Sequence, residues 1–144
     1  MEVKIKKLND NAIIPTRGSE QAAGYDLYTC LEEPIQIIPH DTVIIGTGLS
    51  IELPENTFGG IFPRSGIATS KGLAPANKVG VCDSDYRGEY KVALHNHSDR
   101  TECINPNERI AQLIVLPYIN ISFEETNELS DTKRGDGGFG STDK

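Results

Sequence analysis

Residues 42–62 read TVIIGTGLSIELPENTFGGIF, and they set the pattern for the rest of the chain. Three short segments rich in β-branched and apolar residues, Thr42 to Ile45, Leu49 to Leu53 and Phe58 to Phe62, are separated by glycine, proline and asparagine. Runs of this kind, bounded by turn residues, are typical of strands. A succession of them indicates an all-β sandwich or barrel.

The same pattern extends in both directions along the chain. Further strands are predicted at Val3 to Leu8, Ile35 to Ile38, Tyr90 to Asn96, Ile110 to Leu116 and Ile119 to Phe123. Most prolines fall between these segments, where a missing N–H interrupts no ladder. One short helix is expected from Arg64 to Lys71. Gly66 and Gly72 limit its length to a turn or two.

Composition narrows the class of protein. The chain has 144 residues, 37% of them hydrophobic, which suits one domain with a real core. A net charge of −7 argues against sequence-independent binding to nucleic acid or to an anionic membrane. We expect an intracellular protein, since no signal peptide opens the sequence and no apolar run is long enough to span a bilayer. Three cysteines without a CxxC pair suggest reduced thiols.

Residues 134–142, RGDGGFGST, have the composition of a phosphate-binding segment. Glycines let the backbone approach a ligand, Ser141 and Thr142 can donate hydrogen bonds, and Arg134 can bind phosphate oxygens in a bidentate manner. Phe139 offers a ring that can stack on a base. The alternative is a disordered glycine-rich end. The chain turns polar from Glu124 onward, so this segment follows a linker.

Residues 77–90, NKVGVCDSDYRGEY, are predicted to form a strand, an acidic turn and a returning strand. Such a hairpin would present Asp83 and Tyr86 at its tip. The alternative is a solvated acidic turn with Tyr86 packed beneath it. Because alternation along a strand sends Cys82 to the face opposite Asp83, we expect Cys82 to belong to the core.

Three further segments carry polar groups in unusual places. Residues 63–69 put an arginine and Ser65 at the start of a short helical turn, where free N–H groups favour an anion; alternatively, Ser65 is only an N-cap. Gln112 lies in an otherwise apolar strand and needs a partner, either main chain or a ligand. Asp26 places a carboxylate in the apolar stretch 22–27, which makes it a candidate site residue. The alternative is that it belongs to a structural turn.

Five segments, AAGYDL, PRSGIA, GVCDSDYRGE, ERIAQL and RGDGGFGST, resemble in this order the five motifs of the trimeric deoxyuridine triphosphatases, the dUTPases. The resemblance spans residues 22–142. It implies a distorted β jelly roll or β-sandwich in a single domain, assembled as a homotrimer with shared active sites. It also implies a core at residues 1–123, and a linker with a flexible glycine-rich arm at residues 124–144 that closes an active site.

The resemblance implies Mg²⁺-dependent hydrolysis of dUTP to dUMP and pyrophosphate. This activity keeps uracil out of DNA and supplies dUMP for thymidylate synthesis, in the cytoplasm or, during replication, in the nucleus. Asp83 matches the general base that activates a water for attack on the α-phosphorus. Tyr86 matches the residue that packs on deoxyribose, while Asn77 and the main chain beside it at Val79 match the uracil-binding groups.

The remaining matches concern phosphate and metal. The residues that match phosphate contacts in the body of the protein are Arg64, Ser65, Gly66 and Gln112. In the arm, Phe139 matches the ring that closes over uracil, and the groups around the outer phosphates are matched by Arg134, Gly140, Ser141 and Thr142. Asp26 matches a carboxylate that holds a water of the Mg²⁺ ion, which itself lies mainly on the substrate phosphates. One departure is Asp143, where the family usually has glycine.

Two other functions are compatible with parts of this pattern. Some dCTP deaminases share the implied fold, but they lack the segment that carries Asp83 and Tyr86. A binding or signalling module that has lost turnover is the second alternative. The presence of Asp83, Tyr86, Gln112 and the arm argues against simple loss of activity.

Overall fold

A computed structural model describes residues 2–139 of the chain. In this range there are twelve β-strands and one short helix. The strands are β1 (Lys4–Lys7), β2 (Thr16–Arg17), β3 (Tyr25–Tyr28), β4 (Ile35–Ile37), β5 (Thr42–Gly46), β6 (Leu49–Glu52), β7 (Thr57–Phe62), β8 (Leu73–Pro75), β9 (Gly80–Asp83), β10 (Lys91–Asn96), β11 (Glu102–Ile104) and β12 (Arg109–Pro117). The helix, α1, covers Ser65–Lys71. No helix in residues 2–139 is long and apolar enough to cross a membrane.

The largest sheet has five antiparallel strands in the order β2-β3-β12-β7-β9. Its central strand, β12, sets Gln112 opposite Asp26 of β3 on one side and opposite Phe62 of β7 on the other. The pairing of β12 with β3 shifts register between Arg109 and Ala111. Within residues 2–139, strand β9 lies at the edge of the sheet and pairs with β7 alone.

Three smaller sheets complete the described fold: β5-β10-β8, β1-β6 and β11-β4. The period of two that the sequence predicts is visible in β10, where Val92 and Leu94 are buried and Lys91 is exposed. Strands from all four sheets contribute to one core. Its members are Leu27, Ile37, Ile45, Ile51, Leu53, Ile61, Ile67, Leu73, Tyr90, Val92, Leu94, Ile104, Ile110, Ala111 and Leu113.

Helix α1 confirms the short helix predicted between β7 and β8. It ends at Gly72, which adopts the left-handed conformation with φ 68° and donates its N–H to the Ala68 carbonyl. Arg64 is the N-cap, without a side-chain cap, so Ser65 is already the first helical residue. The alternative role of Ser65 as the N-cap is therefore wrong.

Seven of the predicted strands are confirmed within one or two residues of their expected ends, and the eighth, at residues 119–123, is wrong. Strand β12 ends at Pro117, and residues 118–139 contain no helix or strand. Ile119, Ile121 and Phe123 are all exposed, Phe123 to 94%. Alternating apolar residues favour a strand only where a partner strand is available, and none lies beside them in residues 2–139.

The predicted hairpin at residues 77–90 is also corrected. Strand β9, before the acidic turn, pairs with β7, whereas β10, after it, pairs with β5 and β8. The reason is that residues 87–90 bond to β6 and not to β9. The Tyr90 N–H donates to the Leu49 carbonyl over 2.8 Å, and Ser50 Oγ donates to the Arg87 carbonyl over 2.8 Å. The chain therefore leaves the sheet of β9 before it enters the sheet of β10.

Four strands were not predicted from the sequence: β2, β3, β8 and β11. Each has two to four residues, and β8 contains a proline. Such short segments carry too few residues for a periodic pattern, and pairing with longer strands stabilises them. One consequence concerns Asp26, which lies in a strand rather than in the turn considered as an alternative.

Candidate active site

A pocket of about 250 Å³ opens beside the end of β9. It is lined by Val81, Cys82, Asp83, Tyr86, Glu89, Tyr90 and Lys91. Asp83 is the last residue of β9 and is exposed, as is Tyr86 three residues later. The structure therefore brings together, at one pocket, the carboxylate and the aromatic ring that the sequence singled out.

The loop after Asp83 is held by hydrogen bonds at several points. The Tyr86 N–H donates to the Asp83 carbonyl over 3.1 Å, which closes a turn. The Arg87 guanidinium donates to the carbonyls of Ser84, at 2.7 Å, and Tyr86, at 3.2 Å. These bonds fix the direction of the Asp83 and Tyr86 side chains relative to the sheet.

The ring of Tyr86 lies across Gly88. Its hydroxyl donates to the Glu89 carbonyl over 3.0 Å. A Cβ atom added at Gly88 would overlap the Tyr86 hydroxyl oxygen and would stand 2.5 Å from Tyr86 Cζ. The centre of the Tyr86 ring is 6.1 Å from that of Tyr90, with the two planes tilted by 46°. Tyr86 is thus packed between a glycine and a buried ring.

The floor of the pocket is built by Cys82 and Tyr90. Burial raises the pKa of the Cys82 thiol to about 11, with a further contribution from the charge of Asp83. The thiol is therefore protonated at neutral pH. Cys82 is half-buried and packs against the core while it also lines the pocket, so the prediction that it belongs to the core holds in part. Burial also raises the pKa of Tyr90, whose hydroxyl has no hydrogen-bond partner in residues 2–139.

A second cluster is centred on Asp26, which is only 8% exposed. Arg64 Nε donates to Asp26 Oδ1 over 2.6 Å, and Arg109 Nη1 donates to Asp26 Oδ2 over 3.2 Å. Both oxygens of the buried carboxylate thus accept charge-assisted hydrogen bonds, which orient the two guanidinium groups. Arg109 was not assigned a role from the sequence. Its position beside Asp26 follows from the β12-β3 pairing, which no local pattern indicates.

Gln112 lies on β12 directly opposite Asp26. Its amide Nε2 donates to the Pro63 carbonyl over 2.9 Å, so the partner expected for this amide is main chain. A Cβ at Gly24 would overlap Gln112 Oε1, which explains why a glycine precedes β3. Ser65 is exposed at the start of α1, one residue after Arg64.

The end of α1 is tied to the start of β12. Lys71 Nζ donates to Glu108 Oε1 over 2.6 Å, and the Asn105 N–H donates to Glu108 Oε2 over 2.9 Å. Burial raises the pKa of Glu108, but these hydrogen bonds and the Lys71 charge outweigh burial and lower it overall. No local sequence pattern indicates this pair, because its members are distant along the chain.

The two clusters lie apart on the sheet. Gln112 is opposite Phe62 of β7, and Asp83 is opposite Phe58 of the same strand. Four residues separate these positions, on the order of 13 Å at roughly 3.3 Å per residue. One chain therefore does not bring Asp83 into contact with the cluster of Asp26, Arg64 and Gln112.

Asn77 lies near the other end of β9. It is exposed in a turn in which the Lys78 N–H donates to the Pro75 carbonyl over 3.0 Å. Its Nδ2 atom is 3.2 Å from the position that a Cβ of Gly80 would take. Val79 follows this turn and is half-buried.

The arm is described as far as Phe139. Arg134 Nε donates to the Gly137 carbonyl over 2.7 Å, and Phe139 is fully exposed with φ 49°. The predicted contacts Gly140, Ser141 and Thr142, and the departure at Asp143, lie outside the described residues. In residues 2–139 there is no group of three or more His, Cys, Asp or Glu side chains that could hold a metal ion.

Comparison with known proteins matches residues 10–143 to the family model described as dUTPase. A deoxyuridine 5'-triphosphate nucleotidohydrolase of Nautilia profundicola is 47% identical over 144 residues and covers all of both chains. One of Hydrogenobaculum sp. is 44% identical over 142 residues, covering 99% of this chain and 98% of its own. A dUTPase of Staphylococcus bacteriophage 80alpha, solved with dUpNHpp, superposes with a TM-score of 0.89 at 25% identity, covering 98% of each chain.

Proposed function

The chain belongs to the dUTPase family, and on that premise we propose that it hydrolyses dUTP to dUMP and pyrophosphate, with Asp83 as the general base. The observation that carries this proposal is the pocket in which the exposed Asp83 carboxylate stands beside Tyr86 on a hydrogen-bonded loop. Curated relatives bear the name deoxyuridine 5'-triphosphate nucleotidohydrolase along their whole length, which supports the same activity.

In the proposed reaction, Asp83 accepts a proton from a water molecule. The water oxygen forms a bond to the α-phosphorus, and the bond from that phosphorus to the bridging oxygen of pyrophosphate breaks. A carboxylate at the end of a paired strand, followed by a closed turn, can hold one water in line with the leaving group.

The nucleoside would be selected by Tyr86, Asn77 and the main chain at Val79. The Tyr86 ring forms one wall of the pocket, and its packing across Gly88 supports a role in excluding a 2′-hydroxyl. Strand β9 is at the sheet edge, so its outward N–H and C=O groups are available for a base. Buried polar groups left unpaired can reject a wrong base by about 10⁴-fold.

The phosphates would contact the second cluster. Ser65 and Gly66 are exposed at the start of α1, next to Arg64 and near Gln112. The Arg64 guanidinium is held by Asp26, and one of its remaining donors already reaches the Arg109 carbonyl at 3.3 Å. Preorganised donors of this kind stabilise charge that develops on phosphate oxygens in the transition state.

The distance between the two clusters supports sites shared between subunits of a homotrimer. Asp83 of one subunit would then face Arg64 and Gln112 of another. A complete site would form at the contact between subunits, although these residues lie apart within one chain. Apolar surface supports the assembly as well: residues 119–123 are exposed, and an apolar groove of about 390 Å³ runs between β1, β3, β6 and β12. We propose a jelly-roll core at residues 1–123 in each subunit.

Residues 124–144 would form the arm that closes the site. Phe139 would cover uracil, and Arg134, Gly140, Ser141 and Thr142 would bind the outer phosphates. The full exposure of Phe139 in one chain supports a partner outside its own core. Closure would exclude water and hold the triphosphate in position.

The proposed cofactor is Mg²⁺, carried by the substrate. Mg²⁺ prefers several oxygen ligands, and residues 2–139 offer no cluster of acidic side chains to supply them. Asp26 retains free lone pairs, although both its oxygens already accept hydrogen bonds. Asp26 would therefore hold a water of an ion that the substrate phosphates carry. When bound, the ion would neutralise phosphate charge.

The first test is pyrophosphate release from dUTP, dCTP, dTTP and UTP with Mg²⁺. The matched variants are Asp83→Asn and Asp85→Asn, since both side chains are exposed acids of the same loop. We expect release from dUTP alone, lost in Asp83→Asn and kept in Asp85→Asn. Ammonia from dCTP would favour the deaminase alternative, and dUTP binding without release would favour a signalling module.

The assembly has its own test. Sedimentation of the full chain should give a trimer, and a monomer at working concentration would refute the shared site. Mixing Asp83→Asn with Gln112→Ala subunits provides a sharper check. If each site takes these residues from different subunits, mixed trimers regain part of the activity that both variants lack.

An enzyme with the proposed activity would act inside the cell, where it would keep uracil out of DNA and supply dUMP for thymidylate synthesis.

A further inference from the structure

Tyr90 occupies a rigid position under the pocket. Its side chain is 0% exposed. Its N–H donates to the Leu49 carbonyl over 2.8 Å, and its own carbonyl accepts from Thr47 Oγ1 at 2.7 Å and from the Thr47 N–H at 3.2 Å. The location of the Tyr90 ring is therefore set by the core and by the strands that flank it, and not by the loop that carries Tyr86.

Tyr86 is held much less firmly. It is 43% exposed, and its hydroxyl makes one hydrogen bond, to the Glu89 carbonyl. One part of the ring borders the pocket, while the Tyr90 ring lies 6.1 Å away at a 46° tilt, within the range of favourable aromatic pairs. A wall that excludes one hydroxyl group must stay within about 0.5 Å of its place, which requires a rigid support.

The hydroxyl of Tyr90 does not explain why an aromatic residue is buried here. It has no hydrogen-bond partner in residues 2–139, and its neighbour Cys82 is a weak hydrogen-bonding group. Burying an unpaired hydroxyl costs free energy, so phenylalanine would fill the same volume without that cost. The contribution of Tyr90 to the site is therefore the packing of its ring and not a hydrogen bond from its hydroxyl.

We propose that Tyr90 is a positioning residue that holds the Tyr86 ring in place and thereby sets the discrimination between dUTP and UTP. This inference rests on the proposed function, in which Tyr86 excludes the 2′-hydroxyl. Without the Tyr90 ring, Tyr86 can move toward the floor of the pocket, and the space gained admits ribose.

The test compares kcat/KM for dUTP and for UTP in the wild type, Tyr90→Phe and Tyr90→Leu. Tyr90→Phe keeps the ring and should keep the wild-type ratio. Tyr90→Leu should lower the ratio by about tenfold, within the range of a change of one or two methylene groups in a pocket. If Tyr90→Leu does not fold, Tyr90→Met also removes the ring, and its longer, flexible side chain adapts better to the space left behind.

A double-mutant cycle distinguishes positioning from a general structural effect. In a Tyr86→Leu background the wall is already lost, so adding Tyr90→Leu should leave the dUTP to UTP ratio unchanged. A wild-type ratio in folded Tyr90→Leu, or a further tenfold loss in the double variant, would overturn the inference. Failure of the proposed function appears elsewhere, as a wild type that does not hydrolyse dUTP or does not prefer it to UTP.

Discussion

Gly88→Ala should damage turnover while leaving the fold intact. Gly88 lies beneath the Tyr86 ring, and its φ is not positive, so alanine imposes no backbone strain. The added Cβ would stand 2.5 Å from Tyr86 Cζ and 2.8 Å from Cε2. Because carbon atoms pack at roughly 3.5 Å or more, the ring must move by about 1 Å.

The cost of that movement in stability is small. Tyr86 is 43% exposed and can swing toward solvent, so the main loss is one hydrogen bond to the Glu89 carbonyl. A hydrogen bond of this kind contributes about 1 kcal/mol. In the proposed active site, however, a displacement of about 1 Å can reduce the rate by about 100-fold, which corresponds to about 2.7 kcal/mol in activation free energy.

The assay is pyrophosphate release from dUTP and UTP, together with thermal unfolding of the same preparations. Gly18→Ala is the matched control, because a Cβ there meets nothing within 4 Å. We expect Gly88→Ala to lower kcat/KM for dUTP by about 100-fold, and Gly18→Ala to leave it unchanged. Wild-type kcat/KM in Gly88→Ala would show that Tyr86 does not need its present position, and the account of the pocket would be wrong.

Three further predictions concern the other parts of the molecule. Gly24→Ala should displace Gln112, whose Cδ would lie 2.9 Å from the new Cβ, and should lower kcat/KM for dUTP with little change in urea unfolding. The lowered pKa of Glu108 means that its pairing with Lys71 stabilises the fold above the ordinary carboxyl pKa and is lost as the pH falls through the folded value. The stability difference between wild type and Glu108→Gln, measured by urea unfolding, should therefore shrink as the pH falls below the ordinary pKa of a glutamate. Truncation before Arg134 should abolish turnover but leave sedimentation unchanged, and a truncated enzyme with full turnover would exclude the proposed role of the arm.

Much of the fold could be predicted from local pattern. Seven strands and α1 were found because alternation, turn residues and glycine positions act over a few residues. The segment 119–123 has the same alternation and is not a strand in this chain. A pattern shows which segments are able to pair, but pairing itself depends on a neighbour that local sequence does not reveal.

For the candidate site, too, one part could be predicted from the sequence and the other depends on the tertiary structure. Sequence alone determined which residue types are present and in what order, and so indicated Asp83, Tyr86, Gln112 and the family resemblance. Only the tertiary structure decided that Asp26 holds both Arg64 and Arg109.

It also decided that the rings of Tyr86 and Tyr90 pack together, and that Asp83 and Gln112 lie on opposite sides of β7, at register positions four residues apart along that strand. The physical reason is the distance along the chain over which each kind of interaction acts. Propensity, capping and alternation act between near neighbours in the chain, whereas ion pairs, ring packing and strand register join residues that meet only after the sheets have formed.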